Sequence, residues 1–350
     1  LRGKTKKILF LYTELAAYFL ACIDHLESNY DVEVHIVRWK VNEEAPFNFN
    51  FSNRVSIYNR EDYSLSQLKK LVNEIDPGII YCSGWMDKDY VRICRKYKSS
   101  IPVIVGIDNK WRGDLKQKIA KFLSPLTVGR AFNHAWVAGD SQKKFALNLG
   151  FKETTILTGF YSADTSRFYD FFDDTFDVKR KKIPHRFIYV GRYYDFKGVE
   201  ELWQAFEEVN KDEEDKWELW CFGVGDIKPV TSESIKHFGF VQPEDLKPYI
   251  LETSVFVLPS RTEPWGVVVH EFAASGYSMI LSDEVGSASQ FLKEGKNGYT
   301  FRAGNKEELK KRMKTIMSHT DKELISMGEL SYELSKQNSP EIWSSKLMKL

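Results

Sequence analysis

The run Val255-Phe-Val-Leu-Pro259, followed after three residues by Glu263-Pro-Trp-Gly-Val-Val-Val-His-Glu271, sets the reading of this chain. An apolar, β-branched run of this length reads as a strand buried on both faces of a parallel sheet. Pro264 suits a helix start, and the apolar positions from Val267 to Ser275 continue as a helix that stops at Gly276. Glu263 is thereby expected at the mouth of the strand and Glu271 about two turns into the helix. The N–H groups at a helix start, here near Gly266 and Val267, favour a phosphate. A carboxylate on either side could accept hydrogen bonds from sugar hydroxyls, one set on a ribose and one on a hexose. A nucleotide sugar carries both. The competing reading is a pair of solvated glutamates, one of them capping the helix.

About seventy residues earlier, Arg186-Phe-Ile-Tyr-Val-Gly191 repeats the buried-strand pattern and runs into Arg192-Tyr-Tyr-Asp-Phe-Lys197-Gly198. An amphipathic helix follows, with Val199, Leu202, Trp203, Phe206 and Val209 on one face. Arg192 and Lys197 thus flank a strand-to-helix turn, where they could neutralise a diphosphate or form an ordinary basic loop.

Taken in order, strand-Gly191-Arg192-x4-Lys197-Gly198-helix, then Phe222-Gly-x-Gly225, then Glu263-Pro-Trp-Gly-x4-Glu271-x-x-Ala-x-Gly276 resembles retaining glycosyltransferase family 4, with its Glu-x7-Glu motif and GT-B fold. The resemblance is strongest from Phe187 to Phe301. It implies an α/β protein of two Rossmann-like, doubly wound domains facing a cleft. The expected boundaries are an acceptor-side domain over 1–165, a nucleotide-sugar domain over 166–335, and a helix over 336–350 that crosses back. It also implies transfer of a sugar from a nucleotide donor, a UDP-sugar, with retention of configuration, to a glycan or lipid-linked acceptor, as in lipopolysaccharide or O-antigen synthesis. Arg192 and Lys197 would stabilise the leaving diphosphate, Glu263 would hold the transferred sugar and Glu271 the ribose. Gly191, Pro264, Trp265, Gly266 and Val267 would shape the donor site, and Phe240 with Val241 would hold the base. The Gly223-Val-Gly225 turn would lie near the pyrophosphate. Family members use the donor face itself, a phosphate oxygen taking the acceptor proton. An epimerase of the same fold and a non-catalytic two-lobed sugar-binding module are the alternatives.

The amino-terminal half alternates strands and helices, beginning with Lys7-Ile-Leu-Phe-Leu-Tyr12, and so reads as a second doubly wound sheet. The aromatic and acidic stretch from Tyr169 to Lys182 reads as a linker of low order. Here the chain also departs from the family. Val105-Gly-Ile-Asp108-Asn109 stands where many members carry a His-Asp pair, and no glycine-rich loop follows the first strand, Thr13-Glu14-Leu15 taking its place. Asp108 could orient a donor-sugar hydroxyl or the acceptor, or merely cap the next helix. Residues 110–123 put Leu115, Ile119, Phe122 and Leu123 on one helical face, with Lys116, Lys118 and Lys121 off it. Such a helix either packs on its own domain or makes peripheral contact with an anionic membrane.

The 350 residues suffice for two domains, and 50 basic against 49 acidic side chains leave no field for nucleic acid. Four cysteines without zinc spacing suggest reduced thiols and a cytoplasmic protein, at the inner face of the membrane if the 110–123 helix docks. No secretory signal opens the chain, and the basic run Arg2 to Lys7 reads as a trimmed terminus. No histidine has a partner at metal-ligand spacing and no Asp-x-Asp pair occurs in a diphosphate-binding position. No metal and no cofactor beyond the donor is expected.

Overall fold

The computed structural model describes residues 5–40, 51–211 and 216–350, so Arg2 to Lys4 of the basic run lie outside it. The chain divides into two compact units, residues 1–162 with 338–350, and residues 163–337.

The first unit is built on a seven-stranded sheet in the order β3-β2-β1-β4-β5-β6-β7. Its strands are β1 (Lys6–Tyr12), β2 (Val32–Arg38), β3 (Val55–Asn59), β4 (Ile79–Cys82), β5 (Val103–Ile107), β6 (His134–Val137) and β7 (Ile156–Thr158). Every pairing is parallel. The intervening helices are α1 (Ala17–Asn29), α2 (Leu65–Ile75), α3 (Lys88–Tyr97), α4 (Leu115–Leu123), α5 (Val128–Ala131) and α6 (Asp140–Asn148). Continuous burial of Ile8 to Leu11 and of Val103 to Val105 on both faces explains their unbroken apolar sequence. The order reverses between β1 and β4, and a ligand crevice opens at the carboxyl ends of the strands at such a point.

The second unit opens with α7 (Thr165–Lys181), and this overturns the linker reading of Tyr169 to Lys182. Asp164 caps the helix at the Arg167 N–H, and Phe168, Phe171, Thr175, Phe176 and Lys179 form one buried face at helical spacing. The acidic residues between them fill the outer face, which is why composition alone suggested disorder. The six-stranded sheet runs β10-β9-β8-β11-β12-β13, all parallel. Its strands are β8 (Arg186–Val190), β9 (Glu218–Phe222), β10 (Ile235–His237), β11 (Val255–Leu258), β12 (Ser278–Ser282) and β13 (Gly298–Phe301). Helices α8 (Val199–Asn210), α9 (Lys247–Leu251), α10 (Val267–Ala274), α11 (Ala288–Phe291), α12 (Lys306–Met317) and α13 (Asp321–Ser335) complete it. The order reverses between β8 and β11, the two strands whose following loops carry Arg192 and Glu263.

The chain ends in α14 (Pro340–Met348), which belongs to the first unit and lies along α1. Trp343 stacks on Trp136 at 4.8 Å and donates its indole N–H to the Phe160 carbonyl at 2.9 Å. An indole needs such a partner to be buried at low cost.

Candidate functional site

The loops after β8 and β9 are laced backbone to backbone in the second unit. Gly191 N–H donates to the Phe222 carbonyl at 2.9 Å, Tyr193 N–H to Val224 at 2.9 Å, and Gly223 N–H to Gly239 at 2.7 Å. Gly223 has φ +144°, and a Cβ there would run into the Gly191 carbonyl, so the Gly-x-Gly turn is a packing requirement between two loops. The Tyr189 hydroxyl donates to the Arg192 carbonyl at 2.9 Å, and the Arg192 guanidinium lies 5.4 Å from the Tyr194 ring centre. Phe240 is half-buried, so it is not the core aromatic that an apolar residue after a strand would suggest.

Lys197 ends a single 3₁₀ turn, Asp195–Lys197, closed by Gly198 at φ +67°. A side chain at Gly198 would meet the Pro259 carbonyl. The Phe196 carbonyl accepts from Arg261 N–H at 2.8 Å and from Thr262 N–H at 3.3 Å, binding this turn to the loop after β11. Across that seam the Lys197 amine pairs directly with the Glu263 carboxylate, and the two side chains are only 14% and 12% exposed. Glu263 is fixed from behind, where its carbonyl accepts from Gly286 N–H at 3.1 Å. Both Glu263 and Arg192 act on the buried Tyr189 phenol, whose pKa is raised by burial first, raised further by Glu263 and lowered by Arg192. Lys197 and Glu263 thus meet at the β8/β11 reversal, and Arg192 lies on the same loop after β8 as Lys197.

Helix α10 begins at Val267, not at Pro264 as the sequence suggested. Gly266, at φ +84°, turns the chain into the helix. The Trp265 carbonyl accepts from Ser287 N–H at 2.9 Å and the Gly266 carbonyl from the Ser287 hydroxyl at 3.0 Å, so the backbone of Trp265 and Gly266 is pinned. Val267 and Val268 present first-turn N–H groups that the helix itself cannot satisfy. Trp265 is 2% exposed, and its indole N–H has no partner among the described residues.

Glu271 lies in the second turn of α10. Its carboxyl is pushed up to about 7, by burial first and then by Asp164, against the lowering effect of Arg167. Arg167 donates to Asp164 at 2.9 Å and to Glu244 at 3.3 Å. This trio was missed at the sequence level; the only signal was the Asp-x-x-Arg of a helix cap. The preceding His270 is buried, accepts from Ala163 N–H through Nδ1 at 3.0 Å and reaches the Ser335 carbonyl through Nε2 at 2.9 Å. Desolvation lowers its pKa to about 4, so it is a neutral tie that fixes α10.

Asp108 belongs to the first unit. It lines a cavity of about 300 Å³ at the ends of β1, β4 and β5, together with Thr13, Glu14, Ser83 and Tyr161. Asp108 accepts from the Tyr161 hydroxyl at 3.3 Å and from Asn109 at 2.9 Å. It does not cap the next helix; Asp114 does, at the Gln117 N–H. The Thr13 and Ser83 hydroxyls lie 3.1 Å apart there, and Ser83 and Tyr161 are polar groups that the sequence reading missed. Among the described residues no group of three or more His, Cys, Asp or Glu side chains could hold a metal ion, and no helix is long and apolar enough to cross a membrane.

Residues 170–333, within the second unit, match the family model for glycosyl transferases group 1. An uncharacterized glycosyltransferase of Methanocaldococcus jannaschii is 30% identical over 120 residues, 32% of this chain and 30% of that protein. An uncharacterized 41.2 kDa protein in the cps region of Klebsiella pneumoniae is 26% identical over 147 residues, 41% of this chain and 38% of that protein. The matched stretches thus span about a third of the length of either relative. The structure of Anabaena HepE in complex with UDP aligns over 98% of both chains with a TM-score of 0.71 at 13% identity. The two-sheet α/β architecture is that of the GT-B fold, and the family match supports a glycosyl transferase of group 1.

Proposed function

We propose that this chain, with a group 1 glycosyl transferase segment in its second unit, moves a sugar from a UDP-sugar to a glycan or lipid-linked acceptor with retention of configuration. The observation that carries the reading is the shielded Lys197–Glu263 pair at the β8/β11 reversal, with Arg192 on the same loop after β8. An arriving diphosphate competes for Lys197 and joins Arg192 and the N–H groups of Val267 and Val268. That exchange releases the Glu263 carboxylate to accept from hydroxyls of the transferred sugar. Fixed cations and helix N–H groups aimed at a developing diphosphate lower the barrier without reorganisation. Glu271 takes the ribose, and Trp265 holds the turn that presents α10. Asp108, in the cavity of the other unit, orients an acceptor or sugar hydroxyl. With charge supplied in this way, the chemistry needs no metal.

UDP in complex with the Anabaena protein of the same fold supports the choice of base. The test is a thermal-shift screen over nucleoside diphosphates and their sugars, followed by release of the diphosphate from the best donor with and without acceptor sugars. Stabilisation by UDP and slow donor hydrolysis are expected. Interconversion of the donor sugar without an acceptor would identify an epimerase. Binding with no turnover of any donor would leave a sugar-binding module.

A further inference from the structure

Helix α4 is folded inside out. Leu115, Ile119 and Phe122, at positions i, i+4 and i+7, form its apolar stripe, and they are 74%, 50% and 82% exposed. The other side carries only the small Ala120, packed against the core, and Gln117, whose carbonyl oxygen accepts from Arg112 and Gly113 N–H of the preceding loop at 2.6 and 2.9 Å and whose amide donates to the Lys110 carbonyl at 2.8 Å. No residue of the helix is buried. An amphipathic helix in a self-sufficient domain points its stripe inward, so this stripe is made for something outside the unit.

The surface continues beyond the helix. Met86, Leu126 and Leu147 are also exposed, and the Lys121 amine, bonded to Asn148 at 2.8 Å, places α4 beside α6. Between α3 and α4 runs a groove of about 440 Å³ with an apolar floor that includes Leu123, Val128 and Phe132, and a wall carrying Lys88, Arg92 and Arg95. Arg92 pairs with Asp89 at 2.7 Å, whereas Lys88 and Arg95 have no ion pair among the described residues. Lys116 and Lys118 flank the stripe in solvent. The whole chain has a net charge of only +1, so this positive charge is local.

We propose that this face of the first unit docks on a bilayer surface rich in anionic phospholipid. Phe122, Ile119 and Leu115 enter the acyl boundary, the groove takes apolar chain, and Lys88, Arg95, Lys116 and Lys118 meet lipid phosphates. Apolar insertion beside basic residues is the combination that favours an anionic leaflet. A second copy of the chain is the poorer occupant, since a symmetric contact would set these cations against their own kind. The inference uses no residue of the donor site, so it stands or falls separately from the sugar-transfer reading.

The test is flotation of the full chain with vesicles of phosphatidylcholine alone or of phosphatidylcholine and phosphatidylglycerol in equal parts. The chain should float with the mixed vesicles and not with the neutral ones. Ile119→Ser/Phe122→Ser and Lys88→Glu/Arg95→Glu should each lower the bound fraction at least tenfold, with unchanged thermal unfolding and donor hydrolysis. These side chains are exposed or line an open groove, so the variants should fold. Equal flotation of all three proteins, or no flotation of the wild type, would overturn the proposal. So would a concentration-dependent dimer that Ile119→Ser/Phe122→Ser abolishes while vesicle binding persists, which would assign the face to self-association.

Discussion

Replacing Lys197 and Glu263 singly and together separates what the pair does for the fold from what it does for the reaction. The two side chains are 14% and 12% exposed. Removing one partner of so shielded a pair leaves the other desolvated and uncompensated, at a cost of about 3 kcal/mol. Lys197→Met should therefore lower unfolding stability by roughly that amount. In the double variant Lys197→Met/Glu263→Gln no charge is stranded, and most of the loss should be recovered, as apolar or neutral replacements of buried pairs are commonly tolerated. Turnover should behave differently. Loss of a cation opposite the leaving diphosphate lowers the rate by on the order of 10²–10³, equivalent to about 3–4 kcal/mol of barrier, and the second substitution cannot restore it. Glu263→Gln alone should free Lys197, so nucleoside diphosphate binds as tightly as to the wild type or more so, while transfer falls. The assays are urea unfolding, calorimetric titration with UDP, and diphosphate release from the donor found by screening. A double variant whose turnover stays within a few-fold of wild type would refute the assignment, because the pair would then be a structural tie only.

Glu271, at about 7, is an acceptor that sharpens as it ionises. UDP affinity should fall by about tenfold from pH 8 to pH 6 as the ionised fraction drops, and calorimetry on Glu271→Gln should show weaker binding, by about 1–3 kcal/mol at pH 8, without that pH dependence. Lys179 is 2% exposed and its amine faces the Tyr277 ring at 4.1 Å with no hydrogen-bond partner among the described residues. Burial lowers it to about 7 from an ordinary 10.5, so the native state binds fewer protons than the unfolded one and stability rises with pH across that window. Lys179→Met should be more stable than the wild type at pH 7 by at least about 1–2 kcal/mol after loss of the cation–π contact. Urea unfolding at pH 7 and pH 10 should show that advantage shrinking, and a constant difference would contradict the pKa. Transfer should continue in excess chelator with no more than a few-fold loss, and complete loss restored by magnesium or manganese would show that the fixed cations do not neutralise the diphosphate.

The local sequence by itself determined β1, the strands β8 and β11 around the second unit's reversal, and the helices beginning near Val199 and Val267. Their signals are short-range: continuous apolar runs for strands buried on both faces, and a stripe at helical spacing for α8. It also nominated Arg192, Lys197 and Glu263, charged residues in the loops just after buried strands, and Glu271, a carboxylate set in an otherwise apolar helix start. It misread Tyr169 to Lys182, since the acidic outer face of α7 dominates its composition and its aromatic face has meaning only against its packing partners. Three things were decided by tertiary structure alone. The Lys197–Glu263 pair depends on the Phe196 carbonyl meeting the loop after β11. The environment of Glu271 depends on Asp164 and Arg167, about a hundred residues away in sequence. The outward stripe of α4 depends on Ala120, on the opposite side, packing against the core of the first unit while the preceding loop takes up Gln117. A hydrophobic pattern shows which residues share a face, but where that face points is settled by what the rest of the chain packs against it.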